Sequence, residues 1–213
     1  MRFTKLGHSC VRLEKDGAVL VIDPGLWSDA PAALAGAAAV LVTHEHPDHL
    51  DADAIRAALS SDPDLTLWAN QSICAQFGEF GDRVHEVGHG DALDVAGVSV
   101  HVYGVDHALI YPEIPLVVNT GFLVDGELFH PGDSFTIPED PVSTLLVPIC
   151  APWLKAAEMI EYFRAVEPAR GYAIHDGILN DNGLGLFGRM LNLAAAPSGV
   201  PVARLEPGTS LEL

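Results

Sequence analysis

His44, His46, Asp48 and His49 stand in the stretch LVTHEHPDHLD (41 to 51), where six residues from His44 to His49 hold three of the chain's ten histidines and two acids. Packing gives no reason for this crowding, because imidazoles buried together without partners cost a few kcal/mol each. Metal chemistry does give one. If the backbone stays extended after the apolar run, residues 44 and 46 point the same way, and their two imidazoles can grip one cation. Asp48 and His49 lie past Pro47, in a turn that leads into a helix, and are available to a second cation. Structural zinc sites are usually closed by four ligands that include cysteine, whereas His and carboxylate ligands with room for water are typical of catalytic centres. Two such metals would bring the pKa of a water between them toward ~7 and polarise a substrate oxygen.

Such ligands need a rigid support. Short apolar runs rich in β-branched residues and bounded by Gly, Pro and Asp predict strands at 18–23, 39–44, 65–69, 98–104, 116–124, 143–149 and 171–175. Helical spacing predicts helices over 51–60, 154–168 and 184–197, the last two stopping at Pro168 and Pro197. The mixture makes the class α/β or α+β. Histidine or aspartate follows one run after another: His44 after AVLVT, His107 after VHVYGVD, Asp133 after ELFHPG and His175 after GYAI. Strand ends of an α/β sheet lie along one edge, so ligands from four of them can converge.

The rest of the composition narrows the function. Hydrophobic residues make up 49% of the 213 positions and charged residues 19%, a globular composition, and no linker or short tandem repeat divides the chain, so one domain over 1–213 is expected. The formal charge of −18, from 29 acids against 11 dispersed Lys and Arg, repels a phosphate backbone and argues against nucleic acid. Cys10, Cys74 and Cys150 are odd in number and form no C-x-x-C pair, which suits reduced thiols in a cytosol. Neither an apolar leader at the N-terminus nor a membrane-length apolar segment is present, so a soluble, unexported, cytoplasmic protein without a membrane partner is expected.

With these motifs in order (LGHSCVRLE, LVIDPG, VTHEHPDHLD, an isolated DHA, FHPGDS and AIHDG) the chain resembles the metallo-β-lactamase superfamily over nearly its whole length. Within it, the resemblance is to the branch of L-ascorbate-6-phosphate lactonase and N-acylphosphatidylethanolamine phospholipase D. It implies a four-layer αββα sandwich with two divalent transition metal ions at one sheet edge, zinc first, with manganese or iron as alternatives. It makes His44, His46 and His107 ligands of one metal and Asp48, His49 and His175 ligands of the other, with Asp133 bridging. His107 is preferred to His101 because the family places its ligand in the loop beyond the strand.

The resemblance further implies metal-dependent hydrolysis, in which hydroxide generated at the metals attacks a carbonyl or phosphorus centre and Asp48 manages the proton. His8 and His130 fall where the family keeps histidines close to the metals, suited to orienting a ligand or assisting proton transfer. Trp153 and Lys155 follow a strand end where a small, anionic substrate (phosphodiester, lactone or ester) would lie, and 108–115 would form an apolar wall. The alternatives are a nuclease of the same superfamily, which the charge disfavours, a diiron redox protein, which would carry Glu at position 46, and a non-catalytic metal-dependent binding module. Oligomeric state is not encoded in any of these features.

Overall fold

The computed structural model describes all residues, 1–213. One seven-stranded sheet contains β1 (Arg2–Lys5), β2 (Val11–Lys15), β3 (Ala18–Ile22), β4 (Ala39–Val42), β5 (Thr66–Ala69), β6 (Val84–Glu86) and, returning from the far end of the chain, β14 (Ser210–Glu212), in the order β14-β1-β2-β3-β4-β5-β6. The other contains β7 (Ala92–Val95), β8 (Val98–Tyr103), β9 (Gly121–Val124), β10 (Leu128–His130), β11 (Thr144–Pro148), β12 (Arg170–Ile174) and β13 (Val202–Ala203), in the order β13-β12-β11-β10-β9-β8-β7. Both sheets are mixed: β1 to β3 pair antiparallel and β3 to β6 parallel, while β7 to β10 pair antiparallel and β10 to β13 parallel.

Period-2 patterning decides the layers. In β4, Leu41 faces a core between the sheets with Phe3, Leu20, Val100, Phe122 and Leu146, while Val40 and Val42 face outward. Outside, Val40 and Val42 meet Leu34 of α1 (Ala30–Leu34) and Ile55 and Leu59 of α2 (Ala52–Ser61). α3 (Gln71–Cys74) and a 3₁₀ segment (Ala75–Arg83) extend that layer through Ile73 and Phe77. On the opposite side Leu145, Val147 and Ala173 pack against Met159 and Phe163 of α4 (Ala156–Val166) and Leu191 of α5 (Asp181–Ala195). The result is the expected αββα sandwich, two mixed sheets face to face with helices outside.

Strand directions put the chemistry on one edge. β8, β10 and β12 run the same way, and His107, Asp133 and His175 all lie just beyond their C-terminal ends. His44 lies beyond the C-terminal end of β4 in the facing sheet, and Asp51 caps α2 through the Ala54 N–H at 2.9 Å, fixing where the His44–His49 loop must end. One expected strand is corrected: only Gly121–Val124 of the 116–124 run forms β9. Leu116 and Val118 are instead exposed in a connector held by a single bridge, Asp106 to Val118. Next to this connector Asn119 turns its side chain inward, donating to the Pro131 carbonyl and accepting the Asp133 N–H.

Candidate metal centre

Four strand ends bring His44, His46, Asp48, His49, His107, Asp133 and His175 together. The donor atoms of His44, His46 and His107 lie within 4.8 Å of one another, as do those of Asp48, His49 and His175, and those of His44, His49 and Asp133. Asp133 stands between the two trios: Oδ1 is 3.1 Å from His49 Nε2, and Oδ2 is 3.3 Å from His107 Nε2 and 3.0 Å from His175 Nε2. Ligands about 2.0–2.1 Å from a shared tetrahedral cation would sit about 3.3 Å apart, so these separations are those of atoms arranged around ions.

The Nδ1 partners decide where the ring protons are. His49 Nδ1 donates to Asp23 Oδ2 at 2.6 Å, His107 Nδ1 to the Ala108 carbonyl, and His175 Nδ1 to the Cys150 carbonyl at 2.6 Å. His44 Nδ1 donates to Thr43 Oγ1 at 3.0 Å, because that hydroxyl spends its own proton on Asp23 Oδ2 at 2.7 Å. All four Nε2 atoms are therefore left as lone pairs, and all four are buried without a hydrogen-bond partner, as is Asp133 Oδ1. Burying so many acceptors face to face is costly unless a cation receives them. The residues fit bound metal.

Electrostatics says the same. Burial works to lower the pKa of His175, but Asp133 and Asp48 outweigh it and push the ring up to about 9. His49 is likewise lifted well above the ordinary range by Asp133 and Asp23 against its burial, while burial and the neighbouring His49 drive His44 far below it. Burial would raise the Asp133 pKa, yet His49, His107 and His175 hold it well below the usual carboxylate range. The carboxylates of the centre thus favour positive charge among the groups that face them.

The other predicted residues separate into those that support the centre and those that do not reach it. His8 is buried, accepts the Gly177 N–H on Nδ1 at 3.0 Å and donates Nε2–H to Asp48 Oδ2 at 3.1 Å. Burial pushes its pKa down to about 4, so the ring is a neutral donor that aims Asp48. His130 is fully buried with both nitrogens committed to backbone, Nδ1 accepting from Gly132 N–H and Nε2–H donating to the Ser9 carbonyl. Its Nε2 also stands 3.7 Å from Asp23 Oδ2, and the ring joins the two sheets behind the site. Trp153 is buried and donates Nε1–H to Asp133 Oδ2 at 2.9 Å, so its polar group orients that carboxylate. Lys155 lies outside this cluster of donor atoms: its side chain is 79% exposed and pairs with Glu158 at 3.0 Å at the start of α4.

Two functional residues escaped the sequence reading. Asp23, fully buried at φ 53°, receives the Thr43 N–H and O–H and the His49 Nδ1–H, and so sets the ring protons of both His44 and His49. The signal was there in LVIDPG, an acid closing an apolar strand. Asn119 fixes the loop of Asp133, and Gly132 lets the chain pass: its φ is +63°, and a Cβ there would lie 2.3 Å from Asn119 Oδ1.

The family model of the Beta-lactamase superfamily domain matches residues 2–175, and the chain belongs to that superfamily. Protein Rv0786c of Mycobacterium tuberculosis is 38% identical over 199 residues, covering 91% of this chain and 92% of that protein. The UPF0173 metal-dependent hydrolase MK1542 of Methanopyrus kandleri is 31% identical over 145 residues, 63% of this chain and 62% of the relative. Among solved structures, the metallo hydrolase Igni18 of Ignicoccus hospitalis superposes with a TM-score of 0.75 at 20% identity, covering 100% of this chain and 98% of that one. CmlA, a diiron β-hydroxylase from Streptomyces venezuelae, superposes with a TM-score of 0.69 at 15% identity over 100% of this chain and 54% of its own. These likenesses establish the fold; the chemistry has to come from the site.

Proposed function

We infer that this protein is a metal-dependent hydrolase of small molecules, working with two divalent transition metal ions, zinc first and manganese or iron as alternatives. One observation carries the reading: the buried lone pairs of His49, His107 and His175 converge on Asp133, with that of His44 in the same cluster, and nothing else receives them. His44, His46 and His107 would hold one ion, Asp48, His49 and His175 the other, and Asp133 would serve both. Ions of this kind supply Lewis acidity, which acidifies water and draws charge from a substrate oxygen.

The chain's own groups do the rest. Asp48, 16% exposed in its side chain, is the carboxylate of the centre that reaches toward solvent. Burial favours its neutral form, but the neighbouring His175 and the bond from His8 hold its pKa far below the ordinary range. It therefore stays ionised, placed to accept a hydrogen bond from the attacking water and manage its proton. His8, held neutral, keeps Asp48 in that position. Trp153 keeps the Asp133 carboxylate from rotating as charge develops, and Asn119 holds its backbone.

Beside Trp153 a cleft of about 420 Å³ is lined by Leu109, Ile110, Phe135, Leu154 and Lys155, adjoining the loops of His107 and Asp133. It suits the remainder of a small substrate. Since Glu158 engages Lys155, an anionic group on that substrate would be received by the metal ions. The charge of −18 opposes polyanions, and no helix is long and apolar enough to cross a membrane. Three free cysteines suit a reducing cytosol. A panel of phosphodiesters, lactones and esters, each assayed with metal-free protein and with protein refilled with zinc or manganese, tests the reading. Turnover of at least one class that requires the metal is the result expected; metal uptake without turnover of any would move the reading to a binding module.

A further inference from the structure

Beyond β12 the residues His175, Asp176 and Gly177 form a single turn that touches the second trio twice. His175 adopts φ 56° and His8, packed against it, φ 39°, both in the left-handed region that costs a non-glycine residue energy and persists only where the surroundings impose it. The two segments brace one another: His175 N–H donates to the His8 carbonyl at 3.2 Å, and Gly177 N–H donates to His8 Nδ1 at 3.0 Å. Gly177 has to be bare, because a Cβ would lie 2.9 Å from that nitrogen. With Nδ1 occupied, the His8 proton is forced to Nε2 and onto Asp48 Oδ2. One turn therefore sets both His175 Nε2 and, through His8, the carboxylate of Asp48, which stand 3.5 Å apart.

What imposes the turn lies on its other side. The Asp176 side chain is 3% exposed, and a single oxygen faces two cations. Lys5 Nζ, on β1 and 1% exposed, is 2.6 Å from Oδ2, an ion pair by distance although not aligned as a hydrogen bond. Arg204 Nε–H, just beyond β13, donates to the same oxygen at 2.7 Å, and Arg204 also bonds Glu206. The two cations come from different sheets, β1 in one and the end of β13 in the other, so the carboxylate is tied to both halves of the sandwich at the edge where the ligands gather.

We propose that Asp176, clamped by Lys5 and Arg204, is the positioning residue of the second cation site: it holds the strained 175–177 turn so that His175 and, by way of His8, Asp48 face one ion. The proposal rests on the two-cation reading above but concerns residues that touch neither ion nor substrate. A buried ion pair that only joins the sheets would affect stability and leave the balance between the two sites alone. A clamp on the turn weakens one site and spares the other, because His44, His46 and His107 are fixed by Thr43, the 44–49 loop and Ala108, none of which meets Asp176.

The test uses the full chain with cobalt(II) as probe, comparing wild type with Asp176→Asn, Arg204→Gln and the double variant Lys5→Met/Asp176→Asn. The double variant removes both buried charges together, so a fold survives even where Asp176→Asn alone leaves Lys5 without its partner. Equilibrium dialysis gives the two affinities, and ¹⁵N-histidine spectra of the metal-free chain give the His8 tautomer. The second affinity should fall about 10- to 100-fold, the usual effect of losing a group that orients a ligand, with the first unchanged. In the metal-free spectra His8 should pass from a single Nε2–H tautomer to a mixture. Equal losses at both sites, or an unaltered His8 tautomer in the double variant, would overturn the proposal. A wild type that takes up fewer than two ions would refute the two-cation reading, while the His8 spectrum still decides for or against the clamp.

Discussion

Replacing Asp23 by asparagine should weaken one metal site without touching a ligand. Asn keeps the volume and tolerates the left-handed backbone at φ 53°, so neither packing nor strain enters. The change is in donors and acceptors. Oδ1 receives the Thr43 N–H, and Oδ2 receives both the Thr43 O–H and the His49 Nδ1–H, so an amide in either orientation sets NH₂ against a donor. With the NH₂ at the Oδ2 position, the cheapest relief moves the His49 proton from Nδ1 to Nε2, which removes the lone pair offered to the cation. A hydrogen bond to a charged group contributes roughly 1.5–3 kcal/mol, and each ~1.4 kcal/mol is a factor of ten in binding. The affinity of the site built on His49 should therefore drop roughly 10- to 100-fold, with a smaller loss at His44, whose Thr43 hydroxyl can turn to a new acceptor. Calorimetric titration of the metal-free variant with zinc resolves the two steps. Two unchanged affinities, or equal losses at both sites, would refute the argument that Asp23 acts through the His49 tautomer.

Trp153→Phe keeps a ring in place but takes the Nε1–H from Asp133, so kcat should fall about 10- to 100-fold with little change in KM; a rise in KM alone would make Trp153 a substrate contact after all. His130→Phe leaves the Ser9 carbonyl and the Gly132 N–H without partners, at roughly 1–3 kcal/mol each, so denaturant melts should show a large loss of stability while metal stoichiometry holds. Burial pushes the Cys10 thiol up to about 12, so at pH 8 a thiol reagent should titrate the half-buried Cys74 and Cys150 in the native protein and reach Cys10 only after unfolding.

The ligands were legible to the degree that they lie close together in sequence or at strand ends. His44 to His49 declare themselves because one loop carries four donors, and the sandwich follows from motifs in a fixed order. What surrounds them was not legible, because it depends on which atom faces which. Trp153 and Lys155 both follow β11, and nothing in their spacing tells that the indole turns in to Asp133 while the ammonium turns out to Glu158. Asp23, Asn119 and Asp176 each serve a partner 14 to 171 positions away, a relation set by the sheets and not by any local pattern. The 116–124 run misled for a related reason: its apolar residues have strand propensity, but propensity does not tell that Asn119 bonds Pro131 and Asp133 instead and that Asp106 to Val118 is the one bridge before β9.

The central claim is that the converging lone pairs hold two ions and that hydrolysis depends on them. Its most direct test is a single titration: metal-free protein, a substrate found in the panel, and the rate followed as zinc is added in known equivalents. The account predicts negligible rate without metal, a rise that ends at two equivalents per chain, and its disappearance in His46→Ala and Asp133→Ala. A metal-free protein that turns over substrate at the full rate, or a rate indifferent to both substitutions, would contradict it.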